Sequence, residues 1–145
     1  PLHIILRYEI EKELFDETIS VKDLPDIWHY KMEEYLGVSP PSNSEGVLQD
    51  VHWSGGAFGY FPSYTLGAMY ACQFYSKMLL DINDISKQIK EGNFSCVKKW
   101  LNDNIHKAGR LYSPENLLYK VTGASINPDF FISYLKQKYG QIYSL

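Results

Sequence analysis

Residues 62–80 read "PSYTLGAMYACQFYSKMLL". Leu66, Met69, Tyr70, Phe74 and Met78 recur at helical spacing, while Ala68, Ala71, Cys72 and Tyr75 leave little polar surface between them. A helix apolar nearly all round belongs at the centre of a structure, and Pro62 suits its first turn. Outside 47–53, no run alternates apolar and polar residues over more than four positions. There, "VLQDVHW" admits either a short strand or an extended loop. The expected class is therefore all-α.

The remaining segments repeat one grammar of helix, short loop and helix. "LHIILRYEIEKELF", residues 2–15, carries Leu2, Ile5, Leu6, Ile10 and Leu14 at helical spacing, with Ile4, Tyr8 and Phe15 widening the stripe. It predicts a helix buried over more than half its circumference. Lys22 to Pro25 signals a second start, with Leu36 at the end and Gly37 as the stop. "VSPPSNSEG", residues 38–46, is a loop by composition. Asn83 is expected to cap a short helix ending at Gly92. A helix over 94–107 should bury Phe94, Val97, Ile105 and either Trp100 or Leu101. Ser113-Pro114 opens another, ending before Gly123. Asn127-Pro128 opens the last, with Phe131, Tyr134, Leu135 and Lys138 on one stripe and Gly140 as the stop.

The 145 residues are 45% hydrophobic and carry a net charge of −3, enough apolar material for a real core and no sign of a disordered tail. No basic run exceeds Lys98-Lys99, so nucleic acid is not an expected partner. No apolar run reaches the ~20 residues of a membrane span, and no leader pattern opens the sequence. Neither a membrane partner nor export is expected, and the cytoplasm is the expected compartment. Two cysteines, Cys72 and Cys96, make no disulfide framework; both read as buried free thiols of a reducing compartment. The chain opens on Pro1 inside an apolar pattern, with no cap or polar lead-in. That suggests a single helical region cut from something longer.

The chemistry-bearing stretch lies just before the apolar helix. "GVLQDVHWSGGAFGYFPSY", residues 46–64, sets hydrogen-bonding side chains beside three glycines that permit positive φ and close approach, Gly55, Gly56 and Gly59. Tyr60 and Tyr64 offer phenolic donors. His52 can donate from one ring nitrogen while Asp50 or a carbonyl holds the other. The helix N-terminus at Pro62 adds N–H groups suited to an anionic oxygen. Together they describe a wall that stabilises an oxyanion rather than one that bears a nucleophile. The plainer reading stands beside it: Gly-rich turns with Trp and Tyr are often packed corners, a His beside Trp is usually satisfied structurally, and Trp53 and Phe58 read first as packing. The chain holds no His-Glu-x-x-His, no Cys-x-x-Cys and no cluster at metal-ligand spacing, so no residue here is expected to bind a metal.

"GVLQDVHW" resembles the Gly-x-x-Gln-Asp-x-His-Trp signature of the thermostable carboxypeptidase family, the Taq-type zinc metallocarboxypeptidases. "EEYLGVSPP", "GYFPSYTLGAMYA" and the opening "PLHIILRYEIEKEL" are similar to that family as well. The resemblance covers essentially the whole chain. It implies an all-α, cleft-type zincin peptidase, usually a homodimer, that removes single residues from peptide C-termini with Zn²⁺ or Co²⁺. It also implies that this chain is about the C-terminal third, inactive alone, with the metal ligands upstream. Gln49, Asp50, His52 and Trp53 occupy named signature positions. A more distant likeness, to helical oligopeptidases and angiotensin-converting-type enzymes, implies that Tyr64 and less directly Tyr60 donate to the oxyanion with His52. Gln49, Asp50, Trp53, Gly55 and Gly56 would support them on the substrate side. A carboxypeptidase also needs a cation for the terminal carboxylate; Arg7 and Arg110 are the only arginines, and both read as surface or inter-helix residues. Two other classes remain open: a non-catalytic helical binding or scaffold module, and a phosphate binder using "SGGAFG", which lacks the P-loop Lys. With helices 2–15 and 62–80 central, the isolated chain is expected to expose apolar surface and self-associate.

Overall fold

The computed structural model describes residues 1–144. Seven α-helices follow in order: α1 Leu2–Phe15, α2 Leu24–Leu36, α3 Pro62–Asp81, α4 Ile85–Lys90, α5 Ser95–Asn104, α6 Pro114–Thr122 and α7 Asp129–Tyr143, with 3₁₀ turns at Val21–Asp23 and His106–Ala108. The described residues contain no strand, in keeping with the all-α expectation. Residues 47–53 form a succession of turns, neither the short strand nor the extended loop that their alternation allowed. The chain divides into two compact units, Pro1–Leu66 and Gly67–Leu145, with the boundary inside α3. No described helix is long and apolar enough to cross a membrane.

The first unit is built on the pairing of α1 with α2. Leu6, Ile10 and Trp28 are its fully buried centre, and Val47 and Trp53 of the following loop pack against it. Lys31 bridges Glu9 at 2.9 Å and Glu13 at 3.1 Å, and the Tyr35 hydroxyl donates to Glu9 at 2.6 Å. His29 ties α2 to the loop through the Pro40 carbonyl, 3.0 Å from Nε2, while Nδ1 faces the Pro25 carbonyl of its own helix. In the second unit, Met78 of α3, Ile85 of α4 and Trp100 of α5 form the core. Trp100 Nε1 donates to Asp81 at 2.9 Å. Gln73, also buried, donates to the Ser125 carbonyl and accepts from the Asn127 N–H, which fixes the α6–α7 connection.

Gly37 and Gly123 end α2 and α6 in left-handed conformations, as their sequence positions demand, and Gly92 (φ +77°) follows α4. Other expectations fail for physical reasons. Gly140 does not stop α7, which runs through it to Tyr143; one glycine weakens a helix by only ~1 kcal/mol. Asn83 is not at the N-cap of α4; Asp84 stands there, at φ +56° and with no side-chain capping bond. Phe94 precedes α5 and is 58% exposed rather than buried. In α1 only Leu6, Arg7, Ile10 and Glu11 are buried, with His3, Ile4, Glu9, Glu13 and Leu14 half-buried beside them, and in α3 only Gln73 and Met78 are buried. Leu2, Tyr8, Phe15 and Leu66 instead face outward. Cys72 and Cys96 are free but only half-buried.

Gly46 opens the loop against the indole of Trp28. A methyl group there would meet the Ser42 carbonyl at 3.1 Å, Pro40 Cβ at 3.3 Å and Trp28 Cδ1 at 3.4 Å. Trp28 is 1% exposed and cannot retreat. Gly46→Ala should therefore destabilise the protein by about 1–3 kcal/mol, measured as a lowered urea midpoint with an unchanged slope.

Candidate active-site wall

The loop after α2 returns across α1, and three side chains of α1 receive it. His3, Arg7 and Glu11 are spaced four residues apart, so they stand on one face. His3 Nε2 and the Gln49 side-chain amide lie 3.2 Å apart. Arg7 Nε donates to Asp50 Oδ2 at 2.7 Å, and a terminal nitrogen forms an ion pair with the same oxygen, also at 2.7 Å. Glu11 accepts the Trp53 indole N–H at 2.7 Å and the Gly59 backbone N–H at 3.0 Å. The stripe holds the loop at positions 49, 50, 53 and 59.

Arg7 is 5% exposed and is neither a surface residue nor a free carboxylate clamp. Its guanidinium lies 4.7 Å from the Trp28 ring and 5.2 Å from the Phe61 ring, donates to the His3 carbonyl and also meets His3 Nδ1. Guanidinium only donates, so His3 Nδ1 accepts and the proton sits on Nε2. The Gln49 atom 3.2 Å from it is the amide nitrogen, so accepting that proton requires the carboxamide to turn over and present its oxygen. Burial, then the positive charge of Arg7, lowers the pKa of His3 below its usual value and keeps the ring neutral. Arg110 is exposed.

Asp50 transmits this arrangement to His52. Burial pushes its carboxyl up, but the His52 ring and backbone N–H and the Arg7 charge outweigh it, and the net shift is below the ordinary carboxylate value. Asp50 Oδ1 stands 2.6 Å from His52 Nδ1. An ionised carboxylate only accepts, so Nδ1 carries the proton and a neutral ring turns a lone pair on Nε2 toward Tyr64. The Tyr64 hydroxyl lies 3.0 Å from it and donates. Tyr60 stacks on His52 at 5.9 Å between centroids, with 27° between the ring planes, and meets Tyr64 edge-on at 5.3 Å. Both tyrosines are about half exposed, 52% and 47%. The three residues expected to act on substrate therefore share one solvent-facing cluster.

The supporting residues divide. Trp53 is a packing residue, edge-on to Trp28 and Phe61, as well as a Glu11 partner. Phe58 meets only Phe15 in this way, at an exposed edge. Gly56 and Gly59 take positive φ and Gly55 does not. The N–H groups of Gly55, Gly56 and Ala57 bond the carbonyls of Val51, Trp53 and His52, and those of Ser63 and Tyr64 bond Tyr60 and Phe61. None of these amides is free for an anion, so the glycines act through the loop's shape. Sequence reasoning missed Arg7, His3 and Glu11. Their signal was a polar stripe of period four on an apolar helix.

Residues 1–139 match the family described as Carboxypeptidase Taq (M32) metallopeptidase, which sets the chain among the metallopeptidases. More narrowly, it belongs to the carboxypeptidase Taq family. It is 47% identical to Carboxypeptidase 1 of Bacillus subtilis (strain 168), over all of this chain and 29% of that protein. It is 40% identical to Thermostable carboxypeptidase 1 of Pyrococcus furiosus, over 94% of this chain and 28% of that one. The crystal structure of the M32 carboxypeptidase from Deinococcus radiodurans R1 superposes with a TM-score of 0.94 at 35% identity, covering 99% of this chain and 29% of that chain. The chain thus spans less than a third of the length of these relatives.

A metal ion belongs to the chemistry of such a family, but these residues do not fit one. Among the described residues no group of three or more His, Cys, Asp or Glu is arranged to hold a metal. The nearest acid and imidazole groups are committed elsewhere: Asp50 to Arg7 and His52, His3 to Arg7, and Glu11 to two N–H donors.

The folded pKa of Asp50 lies below its unfolded value. Its contribution to stability is therefore present above an unfolded carboxylate's ~3.9 and is lost as pH falls through the folded value. Asp50→Asn should cost about 1–3 kcal/mol at neutral pH, with the gap to the parent closing below about pH 4. Urea denaturation at pH 7 and pH 3 measures both; an equal gap at the two pH values would show that the carboxylate charge is not what stabilises the loop.

Proposed function

We propose that this chain forms the substrate-facing wall of a longer, metal-dependent carboxypeptidase that releases C-terminal amino acids from peptides. The observation that carries the reading is the Asp50–His52–Tyr64 series at 2.6 and 3.0 Å, open to solvent and set among aromatic rings, in a member of a metallopeptidase family. The metal, zinc or cobalt, is held outside these residues, and the 145-residue chain alone does not hydrolyse peptides. Names of relatives, each a carboxypeptidase, support the substrate class. The two free, half-buried thiols fit a cytoplasmic enzyme, and a homodimer is the proposed assembly of the complete protein.

In this role Tyr64 and His52 act electrostatically. As negative charge grows on the oxygen of the last peptide carbonyl, the Tyr64 hydroxyl turns its proton from His52 Nε2 to that oxygen. His52 becomes a second donor only when Nε2 takes a proton from solvent; Asp50, on Nδ1–H, then faces the imidazolium. Tyr60 fixes the face of the His52 ring. Asp50 holds the ring's orientation and touches no substrate.

In the full-length protein, with an N-blocked dipeptide bearing a free carboxylate as substrate, Tyr64→Phe should lower kcat by about 10²–10³ and leave KM nearly unchanged. His52→Ala should lower kcat at least as far, and Asp50→Asn less than either. Steady-state kinetics decide it: a change in KM alone for Tyr64→Phe, or unaltered turnover in His52→Ala, overturns the assignment.

A further inference from the structure

Glu11 is a buried acid that the chemistry above does not use. It is 4% exposed and makes no ion pair among the described residues. A carboxylate so placed is costly unless its oxygens are hydrogen-bonded. Both are: Oε1 accepts from Trp53 Nε1 and Oε2 from the Gly59 N–H. These two donors are six positions apart and bracket the glycine turn.

Each pinned residue is the covalent neighbour of a site residue. His52 precedes Trp53, and Tyr60 follows Gly59. Between them the turn closes on itself through backbone bonds from Gly55, Gly56 and Ala57, and Gly59 adopts a left-handed φ of +73°. Between Ala57 and Tyr60, the Gly59 N–H is the backbone donor that a side chain accepts from; Phe58 adds only an exposed edge contact to Phe15. The distance between the Trp53 indole and the Gly59 amide is thus set by a single carboxylate, and with it the stacking of Tyr60 on His52. We propose that Glu11 is a positioning residue for the His52–Tyr60–Tyr64 cluster, acting from α1 without touching substrate. The inference rests on the reading of that cluster given above.

Glu11→Gln in the full-length protein is the test. The side chain keeps its size but has one acceptor oxygen, so either Trp53 or Gly59 faces an amide donor and is released. With the N-blocked dipeptide, kcat should fall about tenfold or more through misplacement of the cluster, with KM little changed. The Trp53 indole N–H resonance in ¹⁵N-tryptophan-labelled protein, identified by its absence in Trp53→Phe, should shift. A merely structural residue would lower the melting temperature and leave the kcat of the folded enzyme alone; that result, or an unmoved resonance, overturns the proposal. Should Glu11→Gln fail to fold, Trp53→Phe releases one oxygen only and should lower kcat about threefold or more; parental kcat in that folded variant overturns it equally. His52→Ala separates the two claims. If it loses turnover while Glu11→Gln does not, the positioning role alone fails; if it keeps turnover, the site reading fails and takes this inference with it.

Discussion

The buried guanidinium of Arg7 is the constraint on which the wall depends. A cation almost entirely removed from water is tolerated only where its donors and its charge are met. Asp50 takes two of its nitrogens, the His3 carbonyl takes another contact, and the faces of Trp28 and Phe61 cover the plane. Asp50 has no latitude in this arrangement. Its remaining oxygen then dictates which nitrogen of His52 carries the proton and where the other points. Lysine could supply the charge but not the planar fork or the stacking between two rings. The electrostatics of the solvent-facing residues are thus set by a residue of α1 that the solvent does not reach.

The fold was legible where it depended on local chain stiffness. Leu24 to Leu36 and Pro114 to Thr122 begin and end where Pro and Gly say they should, because φ preference acts residue by residue. It was illegible where a non-glycine accepted a left-handed conformation. Asp84 and Glu17 at the ends of helices are the examples, and neither carries a compositional mark. The extent of burial was over-read for α1 and α3, since apolar periodicity reports a capacity to be covered, and Leu2, Tyr8 and Leu66 stay outward in the described structure.

The site was legible in its residue types and not in its wiring. His52 with Asp50 as its partner followed from two residues one position apart in a short loop. Tyr64 at Nε2 needed a fold in which the start of α3 turns back toward the loop. Arg7 and Glu11 lie 43 and 48 positions from the groups they bind, and no loop-by-loop reading reaches that far. The resemblance to the carboxypeptidase signature supplied Gln49 and Trp53. Their partners His3 and Glu11 emerged only with α1 in place.

Both units use the same device. In the first, Arg7 and Glu11 interrupt the apolar face of α1 and hold the loop that bears the wall. In the second, Gln73 interrupts α3, the helix expected to be apolar all round, and holds the carbonyl of Ser125 and the N–H of Asn127. The physical reason is common to both. A loop crossing a helix buries backbone and side-chain polar groups that water no longer reaches, and each must find a partner. A polar residue on the covered face of the helix is the shortest way to provide one, and it loses stability if the loop moves, because it is then itself left unsatisfied. A buried polar interruption in an apolar helix is therefore better read as the anchor of a crossing loop than as a flaw in the pattern. In the first unit, that anchor sits directly beneath the residues that meet solvent.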